Sequence, residues 1–196
     1  MHTRIQVRNT SLPTIQGVET RRSFLGKSTL LLSGAAIFLL AGREARAKVN
    51  DASASDVRVL NSALGAELEA VAAYQVGAES GLLQKPVLNL AVTFQGHHKE
   101  HADLLAKTIV KLGGKPVSAK EKYGFPVETL KTQADVLRFA AMLEKGAVSA
   151  YLGAVPVLDS RDLAQAAASI LGDEAMHWAV LRNALGEEPV PSAFMS

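Results

Sequence analysis

RDLAQAAASILGDEAMHWAVLRNAL, residues 161–185, is the stretch from which the rest of the chain can be read. Ser160 precedes it as an N-cap and Gly186 stops it, so it predicts a helix. At three-four spacing its apolar seam runs Leu163, Ala167, Ile170, Glu174, His177, Leu181. Glu174 and His177 therefore interrupt the seam near its middle, one turn apart on one face. A carboxylate in an apolar seam is costly unless something pairs with it.

The same pattern recurs in three other stretches. Asp56 to Ser80 ends at Gly81. Pro86 opens a stretch that reaches Leu112 before Gly113-Gly114. Thr132 caps a stretch from Gln133 to Val155, which Pro156 stops. None shows sustained period-2 alternation, so no strand is expected. Their seams read Leu60, Leu64, Glu67, Val71, Tyr74; then Val87, Leu90, Phe94, His98, His101, Leu105, Leu112; then Leu137, Ala141, Glu144, Val148, Tyr151, Val155. Each is apolar except at its middle. Helices of similar length bring their midpoints into one layer. Three carboxylates (Glu67, Glu144, Glu174) and three imidazoles (His98, His101, His177) should therefore converge at the centre.

No Lys or Arg lies on these seams to neutralise that layer. A divalent metal would, because it brings positive charge and accepts O and N ligands. The alternative is a metal-free polar layer held by hydrogen bonds. His97 lies off the seam and is expected beside the site or at the surface. Glu69, Glu100 and Asp173 are expected to point sideways or into solvent. Tyr74 and Tyr151 read as core tyrosines one or two turns from the site, and Trp178 as packing.

Connection lengths set the topology. About five residues join the first two helices and about as many the last two, so each pair should form an antiparallel hairpin. Residues 113–132 separate the hairpins, enough chain to run the length of a bundle and start the third helix parallel to the second. No internal sequence repeat is evident. The tail, residues 187–196, has two prolines and reads as extended.

A family resemblance rests on Glu67-Leu68-Glu69-Ala70-Val71-Ala72-Ala73-Tyr74, Glu100-His101-Ala102-Asp103-Leu104-Leu105, Leu143-Glu144-Lys145 and Asp173-Glu174-Ala175-Met176-His177. These segments resemble the ferritin-like di-iron carboxylate superfamily, from about Asp56 to Leu185. The Tyr123-Gly124-Phe125-Pro126 crossover is most similar to that of exported bacterial ferritin-like domain proteins. The resemblance implies an all-α, ferritin-like four-helix bundle with one long crossover. It also implies two divalent metals, iron first, with manganese, zinc, a mixed pair or a single ion as alternatives. They would be held by a lone Glu from each of two helices and a Glu-x-x-His from each of the others. Glu67 and Glu144 match the lone glutamates, Tyr74 the usual tyrosine, Glu174 and His177 one Glu-x-x-His, and His101 the other His. His98 stands where that pattern has Glu. Three carboxylates balance two divalent ions less fully than four, and the added nitrogen favours zinc, copper or nickel more than usual.

The formal charge of +2 is unevenly placed. Residues 1–47 hold seven Lys/Arg and two Asp/Glu, which leaves 14 basic and 17 acidic residues, net −3, for residues 48–196. The body thus has no electrostatic reason to bind nucleic acid. The absence of Cys excludes disulfides, thiolate nucleophiles, Fe–S clusters and Cys-type zinc sites. At the start, Thr20-Arg21-Arg22-Ser23-Phe24-Leu25 precedes an uncharged run from Ser28 to Ala41 and a small-x-small site, Ala45-Arg46-Ala47. That order is a signal peptide, and the paired arginines with Phe-Leu resemble a twin-arginine export signal. The run is too short to span a bilayer comfortably. The expected organisation is a signal over 1–47, a linker over 48–55, the bundle over 56–186 and the tail over 187–196. Expected partners are the twin-arginine machinery, signal peptidase, O₂ or peroxide and a second copy of the chain, in the periplasm or cell exterior. Two functions fit: a redox metalloprotein with ferroxidase, peroxidase or catalase-like outcome, or a non-catalytic metal-binding or stress-protection protein.

Overall fold

A computed structural model describes residues 49–195. Its helices are α1 Val49–Glu79, α2 Lys85–Lys111, α3 Gln133–Ala154 and α4 Arg161–Ala184, with short 3-10 turns at Val127–Thr129 and Val155–Val157. No strand occurs among the described residues. The limits of α2, α3 and α4 fall within about a residue of expectation. α1 does not: it begins at Val49, so residues 49–55, expected as linker, are helical. Neither Gly nor Pro occurs between 49 and 55 to stop the helix, and extending a helix already nucleated is easy. The export-signal segment, residues 1–47, lies outside the described residues.

Local chemistry sets the other ends. Thr132 and Asp135 form a capping box: the Thr132 hydroxyl accepts from the Asp135 N–H, and the Asp135 carboxylate accepts from the Thr132 N–H at 2.9 Å. Ser160 accepts from the Leu163 N–H. α3 tightens into its 3-10 turn at Pro156, which cannot continue the ladder. α2 ends in Gly113 at φ 79°, a left-handed stop that favours glycine. Gly114 follows for a different reason. A Cβ there would lie 2.6 Å from Val57 Cγ1, so the chain leaves α2 pressed against α1.

α1 packs on α2 and α3 on α4, and the hairpins meet mainly through α1 and α3. Tyr74 pairs with Glu144 and Tyr151 with Glu67, so residue numbers rise along α1 as they fall along α3. α1 and α3 are therefore antiparallel, and α2 runs parallel to α3. The crossover must then travel the whole bundle, and its two anchors lie at opposite ends. Near its start, Asn61 donates to the Lys115 carbonyl and accepts from the Val117 N–H. At the far end, Gln133 accepts from the Gln84 N–H in the α1–α2 turn. α2 is about 40 Å long at 1.5 Å per residue, and twenty extended residues reach about 65 Å. The buried Asp56 closes the end where the crossover starts, accepting from the Asp159 and Ser160 N–H groups of the α3–α4 turn.

The core has two apolar parts. One holds Leu60, Leu64, Leu105, Ile109, Tyr151 and Ile170; the other holds Tyr74, Phe94, Leu137, Ala141 and Leu181. Between them along every helix lies a buried polar layer.

Candidate metal centre

The layer contains all six side chains expected from the seams. Glu67, His98, Glu144, Glu174 and His177 are buried at 2% exposure or less, and His101 is slightly more open. Their ligand atoms form two groups that could each hold an ion: Glu67, His98, His101 and Glu174, and His98, Glu144, Glu174 and His177. Glu174 and His98 belong to both. The His98 ring straddles the groups, with Nδ1 2.8 Å from Glu67 Oε2 and Nε2 3.3 Å from Glu144 Oε1. Glu174 sits opposite: Oε1 is 3.1 Å from His101 Nδ1, and Oε2 is 3.3 Å from His177 Nδ1.

The two hairpins contribute matching parts. In each, the first helix carries Glu and, seven residues on, Tyr: Glu67/Tyr74 and Glu144/Tyr151. Each tyrosine donates across to the other hairpin's glutamate. The second helix carries the i, i+3 pair, His98/His101 or Glu174/His177. Only one position breaks the correspondence, His98 against Glu174. This correspondence is also written in the sequence, as a short internal repeat that the sequence reading missed: Glu67, Ala70, Val71, Ala73 and Tyr74 recur at the same spacing as Glu144, Ala147, Val148, Ala150 and Tyr151.

Electrostatics follows from the packing. Burial alone pushes His98 down, but hydrogen bonds with Glu144 and Glu67 and the nearby carboxylate charges outweigh it and lift the group to about 11. His101 and His177 show the same contest between burial and their glutamate partners, and both are raised to about 9. For Glu144 burial pushes upward, yet the neighbouring His177 and His98 imidazoles hold it well below the ordinary carboxylate value. Burial, then the Glu144 charge, raises Tyr74; burial, then the Glu67 charge, raises Tyr151. Both hydroxyls therefore stay protonated and act as donors.

Even so, the layer does not satisfy itself. Among the described residues, the buried side-chain atoms without a hydrogen-bond partner are His101 Nδ1, Glu144 Oε2, both oxygens of Glu174 and His177 Nδ1. All five belong to the candidate ligands, although such orphans are rare in native cores. Two imidazole nitrogens and three carboxylate oxygens in one buried layer are a donor set suited to divalent transition metals.

Around this layer the structure places side chains that orient it. Phe94 stacks on His177 at a centroid distance of 3.9 Å. Asp173 Oδ2 lies 3.4 Å from His101 Nε2 and 3.3 Å from His177 Nε2, behind both rings. His97 lies outside the layer, with Nδ1 2.9 Å from His177 Nε2 and 3.2 Å from Asp173 Oδ2. Glu100 is exposed and Glu69 half-buried. The role of Gln95 was not foreseen from sequence. It is buried on α2, donates to the Val71 carbonyl and Gln75 of α1, and accepts from Lys99.

Comparison with known proteins agrees with this architecture. No curated protein matches the chain. Among solved structures, a conserved hypothetical protein from Mycobacterium tuberculosis is similar at 22% identity and a TM-score of 0.64, covering 73% of this chain and 99% of its own. A ferritin-like, diiron-carboxylate protein from Bacillus anthracis str. Ames is similar at 19% identity and a TM-score of 0.60, covering 71% and 99%. At these identities the likeness speaks for the fold. The profile of the Ferritin-like domain family matches residues 55–187, a span that takes in α2, α3, α4, all but the first turns of α1 and every residue of the polar layer, and the chain belongs to that family.

Proposed function

We propose that the polar layer is a two-ion transition-metal centre, iron in the first instance, that reacts with O₂ or peroxide. The observation that carries this reading is the set of five orphaned buried atoms, all on candidate ligands. Glu67 and His101 would hold one ion and Glu144 and His177 the other, with Glu174 within reach of both groups. Bound there, such ions supply the one-electron chemistry that protein side chains lack. The chain's own part is to hold the ligands. Tyr74 and Tyr151 fix the Glu144 and Glu67 carboxylates, Phe94 fixes the His177 plane, and Asp173 stands behind both imidazoles. Such supporting contacts commonly decide affinity and ligand orientation.

His98 makes the two sites unequal. A neutral imidazole has one lone pair, so His98 completes one site at a time, whereas Glu174 reaches both. Three carboxylates also leave one positive charge uncompensated when both sites fill. One ion would therefore be held tightly and the second weakly, or with an added anion. Elemental analysis of protein from its native compartment, followed by absorbance after anaerobic Fe(II) and then O₂ or peroxide, tests the reading. The expected result is between one and two metals per chain and a spectral change on adding oxidant. Metal-free native protein, with equal melting temperatures for chelated and Fe(II)-treated samples, would sink it. Metal without any response to oxidant would leave the non-catalytic alternative.

A further inference from the structure

A third group of ligand atoms lies on the outer side of the polar layer and shares His177 with it, and the two-ion reading gives it no ion. It consists of His97 Nδ1, Asp173 Oδ2 and His177 Nε2. The three atoms form a triangle with edges of 2.9, 3.2 and 3.3 Å. Ligands about 2.1 Å from one ion lie about 3.0 Å apart when cis on an octahedron and about 3.4 Å apart on a tetrahedron. The triangle has the dimensions of one face of either polyhedron. It differs from the inner groups in access. The His97 side chain is 40% exposed and that of Asp173 23%, against 1% for Glu144 and none for Glu174.

We propose that His97, Asp173 and His177 form a solvent-facing capture site for a divalent transition-metal ion, from which the ion passes to the buried centre through His177. The inference rests on the two-ion reading. His177 is the shared part. Its Nε2 faces the outer triangle, and its Nδ1 faces Glu144 and Glu174 at 3.5 and 3.3 Å. Stacking on Phe94 holds the ring plane, so the two nitrogens point outward and inward without rotation. A neutral imidazole offers one lone pair at a time. With an ion outside, Nε2 ligates it and Nδ1 carries the proton toward the glutamates. With an ion inside, Nδ1 ligates it, and Nε2 carries the proton toward His97 Nδ1, 2.9 Å away. Transfer inward thus exchanges one neutral tautomer of His177 for the other and leaves the charge of the ring unchanged. An outer and an inner ion compete for the same residue, so the outer ion is transient.

Stopped-flow mixing of the metal-free protein with Co(II) tests this, since the visible Co(II) spectrum reports its ligands. In the wild type the expected course is a fast phase, linear in Co(II) concentration, followed by a concentration-independent phase with a change of spectrum. In His97→Ala the fast phase disappears and filling of the buried centre slows about tenfold, the scale on which loss of one supporting ligand acts. The final spectrum and Co(II) per chain stay as in the wild type. A purely structural His97 would alter the final affinity without removing a phase. Single-phase loading at the same rate in both proteins overturns the capture site and leaves the two-ion centre standing. A lower final stoichiometry in His97→Ala makes His97 a resident ligand and also overturns it. A wild type that takes up no Co(II) overturns the centre and the capture site together.

Discussion

His98 is where this chain's chemistry diverges from the pattern it otherwise follows. It occupies the place that Glu174 occupies in the other hairpin, and its two nitrogens touch a glutamate of each ion group. Replacing it with Glu adds the fourth carboxylate, so His98→Glu should hold closer to two irons per chain and respond faster to O₂ or peroxide. His98→Ala should retain one ion and weaken the other by about 10–100-fold. Metal titration of wild type and both variants checks this, and unchanged stoichiometry in His98→Ala would remove His98 from the ligand set. The same layer sets a pH dependence. His98, His101 and His177 are raised in the fold from an ordinary 6.5 to about 11, 9 and 9. A raised imidazole stabilises the fold fully below its unfolded value and loses that contribution as pH climbs through the folded value. The chelated protein should therefore lose melting temperature between about pH 6.5 and pH 9, continuing toward 11. Metal must displace those protons, so its affinity rises over the same range. Thermal melts at pH 6, 7.5 and 9, with and without Zn(II), should show a stabilising gap that widens with pH; a gap that narrows would contradict this picture.

Among the helices, most ends are local events with a local signal: Thr132 with Asp135, Ser160, Pro156 and Gly113 each act within a few residues of themselves. Asp56 is different. It was readable only as the start of a helix, yet its buried carboxylate accepts two N–H groups from the turn between α3 and α4, more than a hundred residues away. Asp56→Ala removes both acceptors and leaves two part-buried N–H donors, which should destabilise the protein by about 1–3 kcal/mol. Asp56→Asn keeps one acceptor oxygen and should cost about half as much. Denaturant unfolding measures both, and a change below about 0.5 kcal/mol for Asp56→Ala would mean that water replaces the carboxylate there. The early start of α1 belongs to the same scale. Residues 49–55 contain no stop signal, so the helix runs on beyond the boundary expected at Asp56.

For the molecule as a whole, the apolar seams, the glycine and proline punctuation and the connection lengths sufficed to give four helices, two hairpins and one long crossover. Whole-chain behaviour also includes the export expected from Arg21 and Arg22. Changing both to Lys should leave precursor in the cytoplasm, because the export machinery reads paired guanidiniums as an address. Fractionation of cells expressing the two forms checks it, and undiminished export of the double Lys form would count against the twin-arginine reading. The polar layer was legible because burial of Glu or His in an apolar seam is expensive, and that cost leaves its mark at a fixed position along each helix. What sequence could not supply was rotation and partnership. The seams do not say that Tyr151 of α3 donates to Glu67 of α1, that the His98 ring touches one glutamate with each nitrogen, or that Asp173 meets three imidazoles. Those facts depend on how far each helix turns about its axis when four seams pack at once. A turn of a few tens of degrees exchanges a ligand for its neighbour without changing any seam's composition. Amphipathic periodicity therefore determined the bundle and the depth of its centre, and only tertiary packing decided which atoms meet there.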